Sequence, residues 1–181
     1  MKTMKKTLKF FMLVALVTTM TSCDLDELLG SLGIGNATVS ATIKGDGLNV
    51  SFSSDKLVSL ASHTENYLYI NGVKTDLKTQ KSKALNITMY GEYETGKTYN
   101  VKNQSSQQAY GQFIYIDDSS DAENTTYTTV VGETDFTFSF KKYTDTEAEG
   151  TFSGTMIADG DKSITITNGK FKASYETNST N

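Results

Sequence analysis

The segment Asp135-Phe136-Thr137-Phe138-Ser139-Phe140-Lys141-Lys142-Tyr143 has the pattern that decides the fold. Every second side chain from Phe136 to Phe140 is aromatic, and the residues between them are polar. Successive side chains of a β-strand point to opposite faces of the sheet, so this alternation places three phenylalanines on one face. The segment therefore predicts a strand with one face in a core and the other in solvent.

The same period of two continues through most of the chain from Thr38 onward. Two apolar stripes lie on either side of a Gly-Asp-Gly turn at 45–47 and consist of Val39, Ala41 and Ile43 and then Leu48, Val50 and Phe52. Further strands are predicted over 66–70, 84–90, 97–101, 109–116, 125–131, 149–158 and 162–175, with turns at 71–72, 95–96 and 159–160. About ten strands without a long helical pattern predict an all-β domain, either an antiparallel β-sandwich or a flattened up-and-down, lipocalin-like barrel.

The last predicted strand contains a change of parity. Its first apolar set, Ile164 and Ile166, occupies even positions. Its second set, Phe171, Ala173 and Tyr175, occupies odd positions. One extra residue would place both sets on the core face, and Asn168-Gly169 is the expected position of such a β-bulge. The alternative is that Asn168-Gly169 forms a hairpin turn.

The N-terminus predicts export and lipid attachment. Four lysines precede an apolar run at 10–17, and a small pair precedes Cys23, which is the only cysteine. The run is shorter than the ~20 residues that a membrane-spanning helix needs. Residues 20–23 resemble the lipobox of bacterial lipoproteins, with Met20 where Leu is usual. The resemblance implies that the signal peptide (1–22) is removed and that Cys23 receives diacylglycerol and further acyl chains such as palmitate. The alternative is an ordinary secretory signal with a chance cysteine.

The remaining chain is divided into a flexible tether (23–36), a single antiparallel β domain (37–176) and a disordered tail (177–181). Three acidic residues directly after the cysteine, Asp24, Asp26 and Glu27, resemble the export signal of surface lipoproteins in Bacteroidetes-type bacteria. We therefore expect an outer-membrane lipoprotein at the cell surface. A domain that faces the periplasm is one alternative. Retention in the inner membrane is another, because Asp in the position of Asp24 indicates such retention in enteric bacteria.

The charge of the chain excludes one class of partner. All 17 basic residues are lysines, and 21 residues are acidic, which gives a net charge of −4. Residues 1–22 contain four of the lysines and none of the acidic residues, so the chain without them has a formal charge of −8. A nucleic-acid partner is not expected, because phosphate binding needs a basic surface.

The C-terminal stretch resembles a known kind of protein. Residues 150–155, the turn at 159–160 and residues 164–171 resemble the closing hairpin of small Bacteroidetes-type lipoproteins, whose all-β domain has an unknown function. Thr95-Gly96-Lys97-Thr98-Tyr99 resembles a strand start in the same proteins. The resemblance implies an extracytoplasmic β domain and supplies no catalytic or binding residues.

The sequence contains no pattern that indicates an enzyme. His63 is the only histidine and lies in Ser62-His63-Thr64-Glu65, which we interpret as a polar loop, so zinc sites built from several His or Cys ligands are excluded. The carboxylate pairs Glu92 with Glu94, Glu133 with Asp135 and Glu147 with Glu149 flank predicted turns. We interpret them as solvated loop charge, and glycoside hydrolysis is the least favoured function.

Residues 117–124 form the densest group of oxygen ligands. The calcium candidates are Asp117, Asp121 and Glu123, but the segment does not match the EF-hand pattern. An acidic hairpin loop is the favoured interpretation. We expect no cofactor beyond the lipid on Cys23.

Tyrosines supply the candidate ligand-binding residues. Tyr67 and Tyr69 have the polar parity of their strand, and both parities are apolar around Tyr115. The strand around Tyr115 is either covered on both faces or has one face that lines a cavity or forms an exposed aromatic platform, and such a platform can stack on sugars or contact proteins. Ordinary outward-facing tyrosines of a β-sheet are the favoured interpretation. The leading hypothesis is a lipid-anchored, non-catalytic module that binds a glycan, peptide or protein. The alternative is a structural subunit that assembles by strand pairing.

Overall fold

The computed structural model describes residues 34–55, 59–64, 66–104, 110–118 and 125–175. The strands are β1 (Ile34–Gly45), β2 (Leu48–Ser53), β3 (Leu60–Thr64), β4 (Tyr67–Asp76), β5 (Lys81–Tyr90), β6 (Thr98–Asn100), β7 (Tyr110–Asp117), β8 (Thr125–Thr128), β9 (Phe136–Tyr143), β10 (Glu147–Ala158) and β11 (Lys162–Ser174). A short 3-10 helix at Val101–Asn103 follows β6.

The strands form one sheet that closes into a ring. Its order is β1, β3, β4, β5, β7, β8, β10 and β11, and β11 pairs with β1 again. Outside this ring β2 pairs with β1, β9 pairs with β10, and β6 pairs with β9, and each of these pairings is antiparallel. The predicted all-β class is therefore confirmed, as an antiparallel, sandwich-like or barrel-like fold.

The core is aromatic, as the alternation in β9 predicts. Phe136, Phe138 and Phe140 are all buried, with at most 1% of their surface exposed. The Phe113 ring of β7 lies among them, 4.5 Å from Phe136 and 5.4 Å from Phe152 between ring centroids. These contacts pack β7 against β9 and β10 within the buried core.

The predicted bulge in β11 is confirmed, and the hairpin alternative is wrong. β11 is continuous, and its register shifts by one residue against both β10 and β1 near Asn168, which has a φ of 53°. The shift places both apolar sets of β11 on the core face. A β-carbon on Gly169 would lie 2.3 Å from the Phe152 carbonyl oxygen, so this position requires glycine.

Two local predictions are wrong. The expected turn at Asn71-Gly72 lies inside β4, and the chain reverses instead after Asp76, where Gln80 has a φ of 57°. Gly72 serves close packing, because a β-carbon there would lie 2.7 Å from Val39 of β1. The expected polar loop around His63 is strand β3. By contrast, the turns at 45–47 and 159–160 are confirmed.

The predicted signal peptide, Cys23 and the tail at 177–181 lie outside the described residues. Within the described part of the chain, no helix has the length and apolar character needed to cross a membrane.

Candidate functional site

The two outer faces of the closed sheet differ in character. On β1, β9, β10 and β11 the outward side chains are mainly Ser, Thr and Lys. On β4, β5 and β7 most of them are aromatic or aliphatic, and we call this surface the aromatic face; its members are Tyr67, Tyr69, Val73, Ala84, Tyr90, Tyr110, Ile114 and Ile116. All eight are half-buried except Tyr90, which is 40% exposed. An outward surface of this composition is a candidate for ligand contact.

Three tyrosines form a row across the aromatic face. Tyr67, Tyr90 and Tyr110 are direct neighbours across β4, β5 and β7. Their ring centroids lie 4.8 Å and 5.0 Å apart, and the rings of Tyr90 and Tyr110 are stacked with an interplanar angle of 23°. Aromatic pairs of this kind contribute about 0.5–1.5 kcal/mol beyond the area they bury. The row, which we call the tyrosine ladder, therefore holds each ring in place.

A cavity of about 340 Å³ lies at the β8 end of the ladder. It is lined by Tyr110, Gln112, Thr128, Thr129, Val130 and Val131, and we call it the notch. Tyr90 covers one face of the Tyr110 ring from the β5 side. The other lining residues belong to β7, β8 and the loop after β8, and β7 lies between β5 and β8, so the notch is on the side of Tyr110 that is away from Tyr90.

Hydrogen bonds fix the wall of the notch that follows β8. The Thr129 amide donates to the Phe113 carbonyl at 2.9 Å, and the Phe113 amide donates to Thr129 Oγ1 at the same distance. Farther along, the Val130 amide donates to Thr134 Oγ1, and the Thr134 amide donates to the Val130 carbonyl. The notch is thus built on the sheet and on a tightly bonded turn, which favours a preformed site.

The notch offers three kinds of contact. The free face of Tyr110 and the Val130 and Val131 side chains offer apolar contact area. The Gln112 amide can donate and accept hydrogen bonds, and Thr128 adds a hydroxyl that itself donates to the Thr129 carbonyl at 3.2 Å. The described residues that line the notch include no Asp, Glu, Lys, Arg or His side chain.

The structure separates the tyrosines that the sequence singled out. Tyr67 is the first ring of the ladder, and Tyr69 lies on the same face in the row of Thr88 and Gln112. Tyr115 does not belong to this surface: it is fully buried, and its hydroxyl donates to Asp117 Oδ2 at 3.1 Å. Tyr115 is therefore a core residue of a strand that is covered on its inner face.

Asp117, the one described calcium candidate, lies against the core. It is 5% exposed, and Lys83 Nζ is 3.1 Å from its Oδ2 atom, so a cation already balances its charge. Asp121 and Glu123 lie outside the described residues. In the part of the chain that is described, no three His, Cys, Asp or Glu side chains are grouped as metal ligands would be.

His63 and two predicted loop carboxylates belong to strands. The His63 ring stacks on Tyr175 with centroids 4.6 Å apart, and its Nε2 atom lies 3.3 Å from the Tyr143 hydroxyl. Burial lowers the pKa of His63. Glu147 and Glu149 lie on β10 and form ion pairs with lysines of β9, so they are surface pairs rather than turn charges.

No family model, curated protein or solved structure matches this chain. The geometry of the aromatic face is therefore the basis for assigning a function. The sequence predicted that Tyr67 and Tyr69 face outward, but it did not point to Tyr110 or Gln112. The parity of Tyr110 and Gln112 within β7 can be read from the sequence. Their position beside Tyr90 and the end of β8 depends on the register between strands, which cannot.

Proposed function

We propose that this protein is a lipid-anchored, non-catalytic module of the cell envelope that binds a neutral glycan in the notch. The observation that carries the proposal is the position of Tyr110, whose ring is backed by the ladder on one side and borders a cavity on the other. A ring held in this way loses little conformational entropy when a ligand stacks on it.

The lining residues match the chemistry of a sugar. A pyranose ring presents a flat face of C–H groups, which suits the Tyr110 ring, and hydroxyls at its rim, which suit the Gln112 amide and the Thr128 hydroxyl. Because the described lining of the notch includes no Lys, Arg or His, it offers no counter-charge to an acidic sugar. Its volume of about 340 Å³ lies at the small end of typical ligand sites. A site of this size would hold one or two sugar units of a longer chain.

The test uses the full chain in detergent and a panel of immobilised neutral polysaccharides: α-mannan, galactomannan, xylan and β-glucan. We expect binding to at least one of them. We expect Tyr110→Ala to weaken it by about tenfold or more, as a central aromatic contact does. Tyr110→Phe should bind nearly as well, because it keeps the ring.

Tyr69→Ala is the matched control, since it makes the same change on the same face away from the notch. Equal losses for Tyr69→Ala and Tyr110→Ala would mean that the whole aromatic face binds and would contradict a site in the notch. Unchanged binding of Tyr110→Ala would contradict the proposal altogether.

The proposed location rests on residues 1–23. Lipid attachment predicts that labelled palmitate supplied to cells is incorporated into the protein. It also predicts that Cys23→Ser abolishes both this labelling and the association of the protein with the membrane. Digestion by protease added to intact cells, with a periplasmic marker preserved, would support display at the surface. Protection until the outer membrane is opened would support a domain that faces the periplasm.

One strand edge supports the alternative of a structural subunit. β2 pairs with β1 along its whole length, and within the described residues no strand pairs with its other edge. Such an edge can accept a strand from a second chain. Assembly of this kind predicts that the fraction of oligomer, measured by sedimentation velocity, increases with protein concentration. A monomer at every concentration would contradict it.

A further inference from the structure

We propose that a second site on the opposite outer face binds an anionic saccharide group. The site is a cavity of about 500 Å³ on the polar face, where the middle of β1 lies beside β11 and β10. Its charged and hydroxyl-bearing lining includes Ser40, Lys141, Glu149, Thr151, Lys170 and Lys172. We call this cavity the lysine groove.

The lysine groove has an excess of positive charge. Lys141 Nζ lies 2.8 Å from Glu149 Oε1, and Lys172 is directly opposite Glu149 across the β10–β11 pair. The hydrogen bond from Lys141 lowers the pKa of Glu149, and the charge of Lys172 acts in the same direction. One carboxylate is thus shared by two lysines.

Lys170 adds a further cation to the groove. It lies two residues before Lys172 on the same outward face, about 7 Å along the strand. Among the described residues Lys170 has no ion-pair partner, although the chain as a whole has a net charge of −4. An incoming anion would supply that partner.

Hydroxyl groups surround Lys170 on both sides. In the register of the sheet it lies directly between Ser40 of β1 and Thr151 of β10, and Thr151 Oγ1 is 3.1 Å from Ser139 Oγ. Hydroxyls both donate and accept, so they suit the oxygen atoms of an anionic group and the hydroxyls of a sugar.

The same composition favours a saccharide over an acidic peptide. Peptides are usually anchored by large apolar side chains in pockets, and the apolar residues that border the groove, Val39 and Phe171, are each only 1% exposed. Lysines act as point charges without the bidentate fork of arginine, so a uronate carboxylate and a sulfate ester would both fit.

The experiment measures binding of the full chain in detergent to polygalacturonate and to dextran sulfate at about 0.15 M ionic strength, where the Debye length is about 8 Å. The test variant is Lys170→Gln/Lys172→Gln. The control variant, Lys44→Gln/Lys74→Gln, removes the same charge from exposed positions outside the groove. We expect the test variant to bind at least about tenfold more weakly and the control to lose less than about threefold, because distant exposed charges are screened.

The two polymers distinguish the source of the anion. Weaker binding of polygalacturonate alone by the test variant assigns a carboxylate site, and weaker binding of dextran sulfate alone assigns a sulfate site. Weaker binding of both assigns a site that takes either anion. Equal losses for the test and control variants, or no binding of either polymer, would overturn the proposal. If inorganic sulfate at the same concentration of charge displaced the bound polymer, the proposal would also be overturned, because the groove would then be a simple ion site. Binding of neutral polysaccharide should be unchanged in the test variant, which keeps this result independent of the notch.

Discussion

Replacing Phe113 with Ala tests the placement of β7, the strand that carries the notch. Phe113 is fully buried, and its ring centroid lies 4.5 Å, 5.4 Å and 5.6 Å from the rings of Phe136, Phe152 and Phe138. Truncating a buried phenylalanine costs about 3–5 kcal/mol, because it removes apolar burial and leaves a cavity. Domains of this size have a free energy of unfolding of about 5–15 kcal/mol, so the variant should lose a large fraction of its stability.

The next residue supplies the control for this change. Ile114 has the opposite parity and is half-buried on the aromatic face, where Tyr110 is also half-buried and Gln112 is exposed. Ile114→Ala should cost less than about 1.5 kcal/mol, since much of its surface is already in water. Urea denaturation followed by far-UV circular dichroism measures both variants in a chain that has no tryptophan. A small loss for Phe113→Ala together with a loss of several kcal/mol for Ile114→Ala would refute the assigned faces of β7.

Three further changes test other parts of the structure. Burial lowers the pKa of His63, so the unfolded chain takes up a proton below about pH 6.5, whereas the folded protein takes it up only at lower pH. The free energy of unfolding should therefore decrease as the pH falls through this window, and His63→Gln should reduce the slope of that free energy against pH. Identical slopes for the two proteins would contradict the burial of His63. Tyr127→Phe removes a hydrogen bond from the Tyr127 hydroxyl to the Asp46 carboxylate and should lower the free energy of unfolding by about 1.5–3 kcal/mol in urea; no change would show that the bond adds nothing to stability. Gly169→Ala should destabilise the bulge by about 1–3 kcal/mol, because its β-carbon would lie 2.3 Å from the Phe152 carbonyl oxygen, and a neutral result would contradict this close approach.

The strands with strict alternation were predictable from the sequence. In β9 the apolar period is uninterrupted, and all three of its phenylalanines are buried. In β11 the change of parity at Asn168-Gly169 pointed to a bulge, because a strand cannot otherwise bury both apolar sets on one face.

The errors arise where tertiary contacts overrule local signals. Asn71-Gly72 has the composition of a hairpin turn, but Gly72 is used for close approach to Val39. Ser62 to Thr64 are polar, yet they pair with β4 as part of β3, and the His63 ring stacks on Tyr175 directly after β11. Neither partner is near in sequence, so a local pattern could not reveal it.

The candidate site was predictable only in part. The outward parity of Tyr67 and Tyr69 follows from alternation, and it directed attention to the correct face. The ladder and the notch depend on which residues of β4, β5, β7 and β8 lie opposite each other. That register is fixed by turn lengths and core packing of the whole sheet, so Tyr110 and Gln112 emerged only from the structure.

The most direct test of the glycan site is a titration observed by nuclear magnetic resonance, with ¹³C label in the tyrosine rings and an oligosaccharide from the polysaccharide that binds. A sugar stacked in the notch should shift the ring signals of Tyr110 most and those of Tyr90 less. The buried rings of Tyr115 and Tyr127 should be unaffected. Shifts that omit Tyr110, or that are equal across all the tyrosines, would contradict a glycan site in the notch.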